Sequence, residues 1–358
     1  MEPGLVIANY ASPYLTWATW EKTNLGMDAS FFKGKVDLVA EVFRNRQYDI
    51  LAASLVSKEF GLPAPEVNRR SNETRGWEIV LSHRNKIGNW GYNVSVNATN
   101  IRTEWLSLGG EEPSRGSTLR QEGYPTGIAY GYRADGLISS QEELDEYKDN
   151  HTFSGPITSA IHFGAPKLVD ISGPDGVPDG QIDSEYDREI IEDPRGVYSA
   201  GMNLGVSYKN ISLTAIISGR FNRSIYANGA QSSDPFSGGV GNAFGIHTQS
   251  FDPDSPDRNA PYPLLLSGFN DYDRSSYWMR DASYVRVRNI NLVYSFSKTL
   301  LAKTKFIKAA QLVASIENPF LLWDNFYATD SGWDPQLGIG AVDYPLPKTI
   351  SVGANITF

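Results

Sequence analysis

Lys348-Thr349-Ile350-Ser351-Val352-Gly353-Ala354-Asn355-Ile356-Thr357-Phe358 is the stretch whose reading decides the fold. Ile350, Val352, Ala354, Ile356 and Phe358 are apolar, and the residues between them are small or polar. A strict period of two puts every apolar group on one face of a strand. The stretch ends on the ring of Phe358 with no polar tail, so that face needs an apolar environment outside it. A second sheet or lipid would supply one, and the rest of the sequence has to decide between them.

At 358 residues the chain is long enough for one large or two ordinary domains. Its net charge of −9 and pI near 5.1 argue against nucleic acid as a partner, because phosphate binding needs a basic face. With no cysteine, disulfides and thiolate metal sites are excluded. The 19 Tyr, 16 Phe, 8 Trp and 33 Gly favour strands and turns over helices. No run approaches the roughly 18 apolar residues of a membrane helix, so any membrane crossing would have to use strands of a β-barrel. Met1-Glu2-Pro3-Gly4 opens without a basic, apolar signal segment, so a secreted or membrane protein would require sequence upstream.

Outward from the closing strand, alternation recurs along the chain. Leu25, Met27, Ala29 and Phe31 share one face, Lys33-Gly34-Lys35 makes a tight turn, and Val36, Leu38, Ala40 and Val42 continue to about Leu51. Trp77, Ile79 and Leu81 pair across Gly88-Asn89 with Trp90, Tyr92, Val94, Val96 and Ala98. Met202 to Tyr208 turns at Lys209-Asn210 into Ile211 to Ile217. Tyr284 to Phe296, Ala310 to Ile316 and the closing strand complete the set, with a helical turn at 297–306. The stretches 52–74, 103–195, 228–281 and 317–346 read as long loops. Ser140 with Glu143 forms a capping box that opens one helix over Gln141 to Asn150.

The connections therefore alternate short and long across about nine strands. Sorting short turns to one end and long loops to the other is the asymmetry of an up-and-down outer-membrane barrel, with short periplasmic turns and long extracellular loops. The apolar residues face one way, and Asn, Ser, Thr and Gly face the other, as for lipid outside and a wet lumen inside. The expected fold is all-β: an antiparallel transmembrane β-barrel portion. Counting directions makes the first and last strands parallel, so they cannot close an antiparallel barrel with each other. More strands are expected than this chain supplies.

Beyond periodicity, the residues resemble the SusC/RagA-like TonB-dependent receptors of Bacteroidetes outer membranes. The carriers are Leu15-Thr16-Trp17 through Trp20-Glu21-Lys22-Thr23 to Gly26-Met27-Asp28, then Arg75-Gly76-Trp77-Glu78 and Arg84-Asn85-Lys86-Ile87-Gly88. Tyr130-Gly131-Tyr132, Asp135-Gly136 and Asp179-Gly180-Gln181-Ile182-Asp183 with Asp187-Arg188 follow. Ser283 to Asn289, Glu317-Asn318-Pro319-Phe320, Trp333-Asp334-Pro335 and Tyr344-Pro345-Leu346-Pro347-Lys348 complete the order. The resemblance spans nearly all of residues 1–358 and implies the C-terminal part of a 22-strand barrel. It also implies a plug domain absent here, a SusD-like lipoprotein lid and TonB-ExbB-ExbD acting through the missing plug segment. The cargo would be oligosaccharide or peptide, the remaining N-terminal barrel would be a partner, and the chain would be a fragment or the product of a split gene. Phe358 would be the terminal aromatic that signals barrel insertion.

Candidate sites follow from residue chemistry. Aligned to a calcium loop, Asp175, Asp179 and Asp183 take positions 1, 5 and 9, with Gly180 at the turn. Position 3 is Val177 and position 12 is Tyr186, so two liganding places fail; the alternative is a solvated Asp-Gly turn. No cofactor is required by this reading, and calcium is the one candidate ion. Tyr124, Tyr130, Tyr132, Tyr277, Trp278, Trp323, Phe326, Tyr327 and Trp333 fall in or beside the long loops, where rings could stack on sugars or peptides. The alternative for each is packing within the loops or the interfacial girdle. No G-x-S-x-G, H-E-x-x-H or phosphate-binding loop occurs, and His83, His151, His162 and His247 are scattered. An outer-membrane import component that is not an enzyme is expected. A secreted carbohydrate-binding β-sandwich and a β-rich glycoside hydrolase are the rivals.

Overall fold

The computed structural model describes residues 12–57, 59, 61, 63–159, 161–226, 248–265, 274–304, 306–325 and 346–358. Nine long strands form one sheet: β1 (Thr19–Phe31), β2 (Val36–Ala53), β3 (Glu66–Ile87), β4 (Trp90–Ser107), β5 (Tyr198–Tyr208), β6 (Ile211–Phe221), β7 (Tyr284–Ser295), β8 (Ala309–Asp324) and β9 (Thr349–Thr357). Each pairs antiparallel with its neighbours in chain order, so β1 and β9 run in the same direction and each has one unpaired edge among the described residues.

The register turns the sequence alternation into two chemically opposite faces. One continuous row across all nine strands reads Phe31, Val36, His83, Val94, Leu204, Ala215, Ile290, Ile316 and Ile350. The adjacent row on the other face reads Ser30, Asp37, Ser82, Ser95, Asn203, Ile216, Asn289, Glu317 and Thr349. A one-residue slip anywhere would exchange these faces, which is why the pattern fixes the register. Side chains pair within the polar row, Ser30 donating to Asp37 at 2.7 Å and Ser82 to Ser95 at 2.8 Å. His83 is the one polar member of the apolar row; its Nδ1 lies 3.3 Å from the Tyr92 hydroxyl on the same face.

Apolar residues on the first face are largely exposed, among them Leu25, Met27, Ile79, Leu81, Val206, Leu213, Leu292, Ile350 and Val352. Aromatic rings bound this band at both ends. Trp90 meets Tyr208 at 4.5 Å beside the tight turns, and Trp77 meets Tyr198 at 6.3 Å toward the long loops. Tyr198 and Tyr208 are ten positions apart on β5, a span of about 33 Å along the strand and about 25 Å across a membrane at a tilt of about 40°. That is the height of the apolar band of a transmembrane barrel.

The tight turns are built as their residues require. Gly88 takes φ 61°, and Lys209 takes φ 49° beside Asn210. The long-loop boundaries differ from the sequence reading, most of all at 52–74 and 317–346. The stretch 52–74 is strand over its last nine residues, because β3 starts at Glu66; Glu73 there looked like loop chemistry but is ion-paired to Arg44 and Arg46 on the neighbouring strand. The stretch 317–346 likewise yields its start to β8, which runs through Pro319. A register shift between Val287 and Asn289 and a left-handed Asn318 (φ 47°) remove the need for a proline N–H there.

At the long-loop end the connections between β4 and β5 and between β6 and β7 pack against each other. Helix α1 (Gln141–Asn150) carries Leu144 and Tyr147 into a core with Tyr132, Ile138, Ile157, Ile161, Leu168 and Ile182. Ser140 caps it, its hydroxyl accepting from the Glu143 amide at 3.0 Å. Backbone bonds join the two loops: Tyr132 N–H to Arg274 at 2.8 Å, Leu137 N–H to Arg258 at 2.9 Å and Leu264 N–H to Gly164 at 3.0 Å. Gly131 permits the first approach, since a Cβ there would collide with the Arg274 carbonyl.

Candidate functional site

The polar face carries the side chains able to meet a hydrophilic cargo. Over β3 to β7 a groove of about 500 Å³ is lined on this side by Glu78, Asn97, Asn203, Ser218, Arg220 and Arg288. Alternation along each strand sets these groups on one side. Arg288 sits at the irregularity in β7, where its Nε donates to Ser218 Oγ at 2.7 Å and an Nη lies 3.4 Å from the Tyr284 hydroxyl. Glu78, Asn97, Asn203 and Arg220 are exposed. Amide, guanidinium and carboxylate groups along one wall can donate to and accept from hydroxyls or peptide groups. Reading rings in loops overlooked this wall; the polar half of each alternating strand was the signal that could have found it.

The loop aromatics proposed for cargo contact have mostly another occupation. Tyr130, Tyr132 and Trp278 are buried, with Trp278 at 0% exposure, and half-buried Tyr124 packs on Leu119, Ile128 and Tyr130. Tyr277 spans two core clusters and donates from its hydroxyl to the Ala260 carbonyl at 2.9 Å. The guanidinium of Arg188 lies 5.5 Å from the Tyr130 ring and 5.8 Å from that of Tyr132. Tyr130, Tyr132 and Trp278 thus pack within the two interleaved loops. Among the described rings of the set Trp323 is the exposed one, at the end of β8 and stacked on Phe221 at 6.1 Å. Phe326, Tyr327, Trp333 and His247 lie outside the described residues.

The acidic loop is organised by its own backbone. Asp179 accepts the Gln181 amide at 2.9 Å, and Asp183 accepts those of Glu185 at 2.7 Å and Tyr186 at 2.9 Å. Buried Asp187 receives the amides of Ile171, Ser172 and Asp183. Burial pushes its carboxyl above the ordinary range despite those three donors. Asp175, Asp179 and Asp183 do not come together as a cage: among the described residues no group of three or more acidic or histidine side chains is placed to hold an ion.

Glu143 joins helix α1 to both loops. Its carboxylate accepts from Ser139 N–H at 2.9 Å, Lys167 Nζ at 2.8 Å and Arg258 at 3.1 Å. Burial alone would raise its pKa, but Lys167 and the Ser139 donors outweigh that and hold it at about 2. A carboxyl depressed from 4.5 to about 2 gives stability that is fully present above its unfolded value and is lost as pH falls toward its folded value. The amount is about 3 kcal/mol. Hydrogen exchange at the α1 amides, corrected for intrinsic rates, is therefore expected to accelerate between pH 4.5 and 2, and Glu143→Gln to remove most of that dependence. An identical pH response in the variant would refute this assignment.

No protein-family model matches the chain. It is similar along its whole length to TonB-dependent receptor P26 of Formosa agariphila, 24% identical over 376 residues, covering 100% of this chain and 36% of the relative. TonB-dependent receptor SusC of Bacteroides thetaiotaomicron is 25% identical over 360 residues, covering 95% of this chain and 32% of SusC. Among solved structures, the RagAB peptide importer in its closed-closed state superposes with a TM-score of 0.74 at 19% identity, over 99% of this chain and 37% of that one. The RagAB peptide transporter superposes at 0.72 and 21% identity, again over 99% and 37%. This chain thus spans about a third of the length of these relatives. The nine-stranded sheet corresponds to a portion of the barrel wall of these structures. The ordered motifs, the whole-length similarity and the shared sheet make this chain similar to about a third of a SusC/RagA-like TonB-dependent receptor.

Proposed function

We propose that residues 1–358 serve as the C-terminal barrel portion of an outer-membrane receptor that imports oligosaccharides or peptides by TonB-dependent uptake. The observation that carries this reading is the pair of rows across nine strands of one sheet, one apolar save His83 and the other polar save Ile216. A two-sided wall of this kind suits lipid on one side and aqueous cargo on the other. The open edges of β1 and β9 call for the remaining N-terminal barrel strands as partners. The interlocked loops would face outward, beneath a SusD-like lipoprotein lid, and TonB-ExbB-ExbD would act through the plug portion. The relatives are named as receptors and not as enzymes, in keeping with a binding and transport role.

The test uses the whole receptor that carries this chain. Arg220→Gln combined with Asn203→Ala should lower uptake of labelled oligosaccharide or peptide at least about thirty-fold, the loss of one charge-assisted and one neutral hydrogen bond. Outer-membrane levels should stay unchanged, since both side chains are exposed on the lumen wall. Unchanged uptake of every cargo class would remove the wall from the import path. A receptor that stays soluble and monodisperse without detergent would overturn the membrane reading and favour the β-sandwich. Reducing sugar released by purified protein, and abolished by a single carboxylate change, would favour the hydrolase.

A further inference from the structure

The outward face changes character immediately beyond Trp77. The same register that aligns the apolar row places Arg44, Arg75 and Arg102 side by side on β2, β3 and β4, followed by Arg46, Glu73 and Glu104. Glu73 has no exposed side-chain surface and gathers the Nε groups of Arg44 at 2.5 Å, Arg46 at 2.6 Å and Arg75. Engagement through Nε leaves the paired Nη edges of Arg44 and Arg75 turned away from the hub, and their side chains are each 45% exposed. Arg102 stands 3.8 Å from Glu104 and is 41% exposed. The acids on this face are Glu73, Glu104 and Glu21, and Glu21 accepts from the Tyr48 hydroxyl at 3.1 Å. Four guanidiniums against three carboxylates leave one net positive charge, with one acid spent as a buried fastener.

A second feature adjoins the cluster on the membrane side. Leu25, Met27, Ala40, Val42, Trp77 and Ile79 line an apolar groove of about 360 Å³ on β1 to β3. Val42 and Trp77 at its upper end precede Arg44 and follow Arg75 by one step of the alternation. The Trp77 and Tyr198 rings mark the depth at which barrel aromatics sit among headgroups. Guanidinium forks match phosphate oxygens bidentately, and the groove offers an apolar bed of the width of a hydrocarbon chain.

We propose that Arg44, Arg75 and Arg102 with the groove beneath Trp77 form a binding site for a membrane lipid with a phosphate-bearing headgroup. The phosphate lies against the Nη edges and one acyl chain lies along Leu25, Val42 and Ile79. Glu73 positions the arginines and does not touch the lipid. The proposal rests on the membrane reading above, because it needs the apolar face to meet lipid.

The test is native mass spectrometry of the whole receptor, purified in detergent and titrated with phosphatidic acid or with diacylglycerol, which has the chains without the phosphate. Retention of phosphatidic acid should exceed that of diacylglycerol. Arg44→Gln with Arg75→Gln should reduce it about ten-fold, as expected for about one lost charge-assisted pairing. Arg44→Lys with Arg75→Lys should fall between, since the charge stays and the fork is lost. Arg133→Gln, which removes a loop cation paired to Glu189, should change nothing. If the double variant fails to fold, Arg102→Gln, outside the Glu73 hub, carries the test. Equal retention in all variants, or equal loss in Arg133→Gln, overturns the site. Displacement by inorganic phosphate with no dependence on the chains overturns the lipid assignment in favour of a free-ion site. Failure of the receptor to enter vesicles at all would instead overturn the membrane reading.

Discussion

Trp278→Ala is expected to cost about 3–5 kcal/mol in the assembly formed by the two long loops, the usual loss for emptying a buried aromatic site. Trp278 is fully buried, packs with Tyr262, Tyr226 and Tyr277, and meets the Tyr277 ring edge-on at 5.0 Å. It closes the short helical turn Ser276–Trp278, directly before Met279–Asp281, which pairs with Ser224–Tyr226 to extend the β6–β7 hairpin upward. Just before it, Arg274 accepts the Tyr132 amide, and Ser276 Oγ accepts the Ala134 amide at 2.9 Å. One ring thus anchors the sheet extension and the strap that docks the other loop. The void cannot close without moving a hairpin on one side or that strap on the other. In the whole receptor, amide exchange should accelerate across 129–168 and 276–281 while β3 to β6 stay protected; Trp278→Phe should recover about half the loss. Unchanged exchange in both loop regions would show that the docking is held elsewhere.

That coupling was invisible in the sequence for a physical reason. Strands betray themselves because their period is local: Leu25, Met27, Ala29 and Phe31 declare a face without reference to any partner. The nine strands, the tight turns, the parallel outer edges and the Ser140–Glu143 cap were therefore all legible. Interlocking of two loops depends on Tyr132 meeting Arg274 and Leu137 meeting Arg258, contacts more than a hundred residues apart with no periodic trace. Rings such as Trp278 then look like contact residues when they are core. Glu73 shows the opposite error. In sequence, Arg69-Arg70-Ser71-Asn72-Glu73 has the polarity of a solvated loop, yet cross-strand arginines neutralise it within β3. Residues of the polar face were visible as alternation, but nothing local separates a face that touches cargo from one that is merely wet.

Phe358→Asp is expected to lower the outer-membrane level of the whole receptor at least ten-fold while changing the stability of the inserted fraction little. Phe358 continues the outward row Ile350, Val352, Ala354 and Ile356, is 68% exposed, and stacks on Phe306 at 6.3 Å and 11°. It lies at the tight-turn end, where Lys308 N–H donates to the Thr357 carbonyl at 2.8 Å. A charge near the membrane interface of a finished barrel costs only about 0–1 kcal/mol, against about 2–4 at the midplane. Lost stacking adds about 1 kcal/mol. Neither suffices to remove a folded receptor, so a large fall in abundance must arise before the strand is seated, where an exposed ring on β9 can be recognised and a carboxylate cannot. Phe358→Tyr keeps the ring and should restore most of the level. Phe306→Ala removes the stacking partner alone and should leave insertion intact. If Phe306→Ala lowers abundance as much as Phe358→Asp, the ring acts through its stack in the folded wall; if Phe358→Asp inserts normally, Phe358 is not an insertion signal at all.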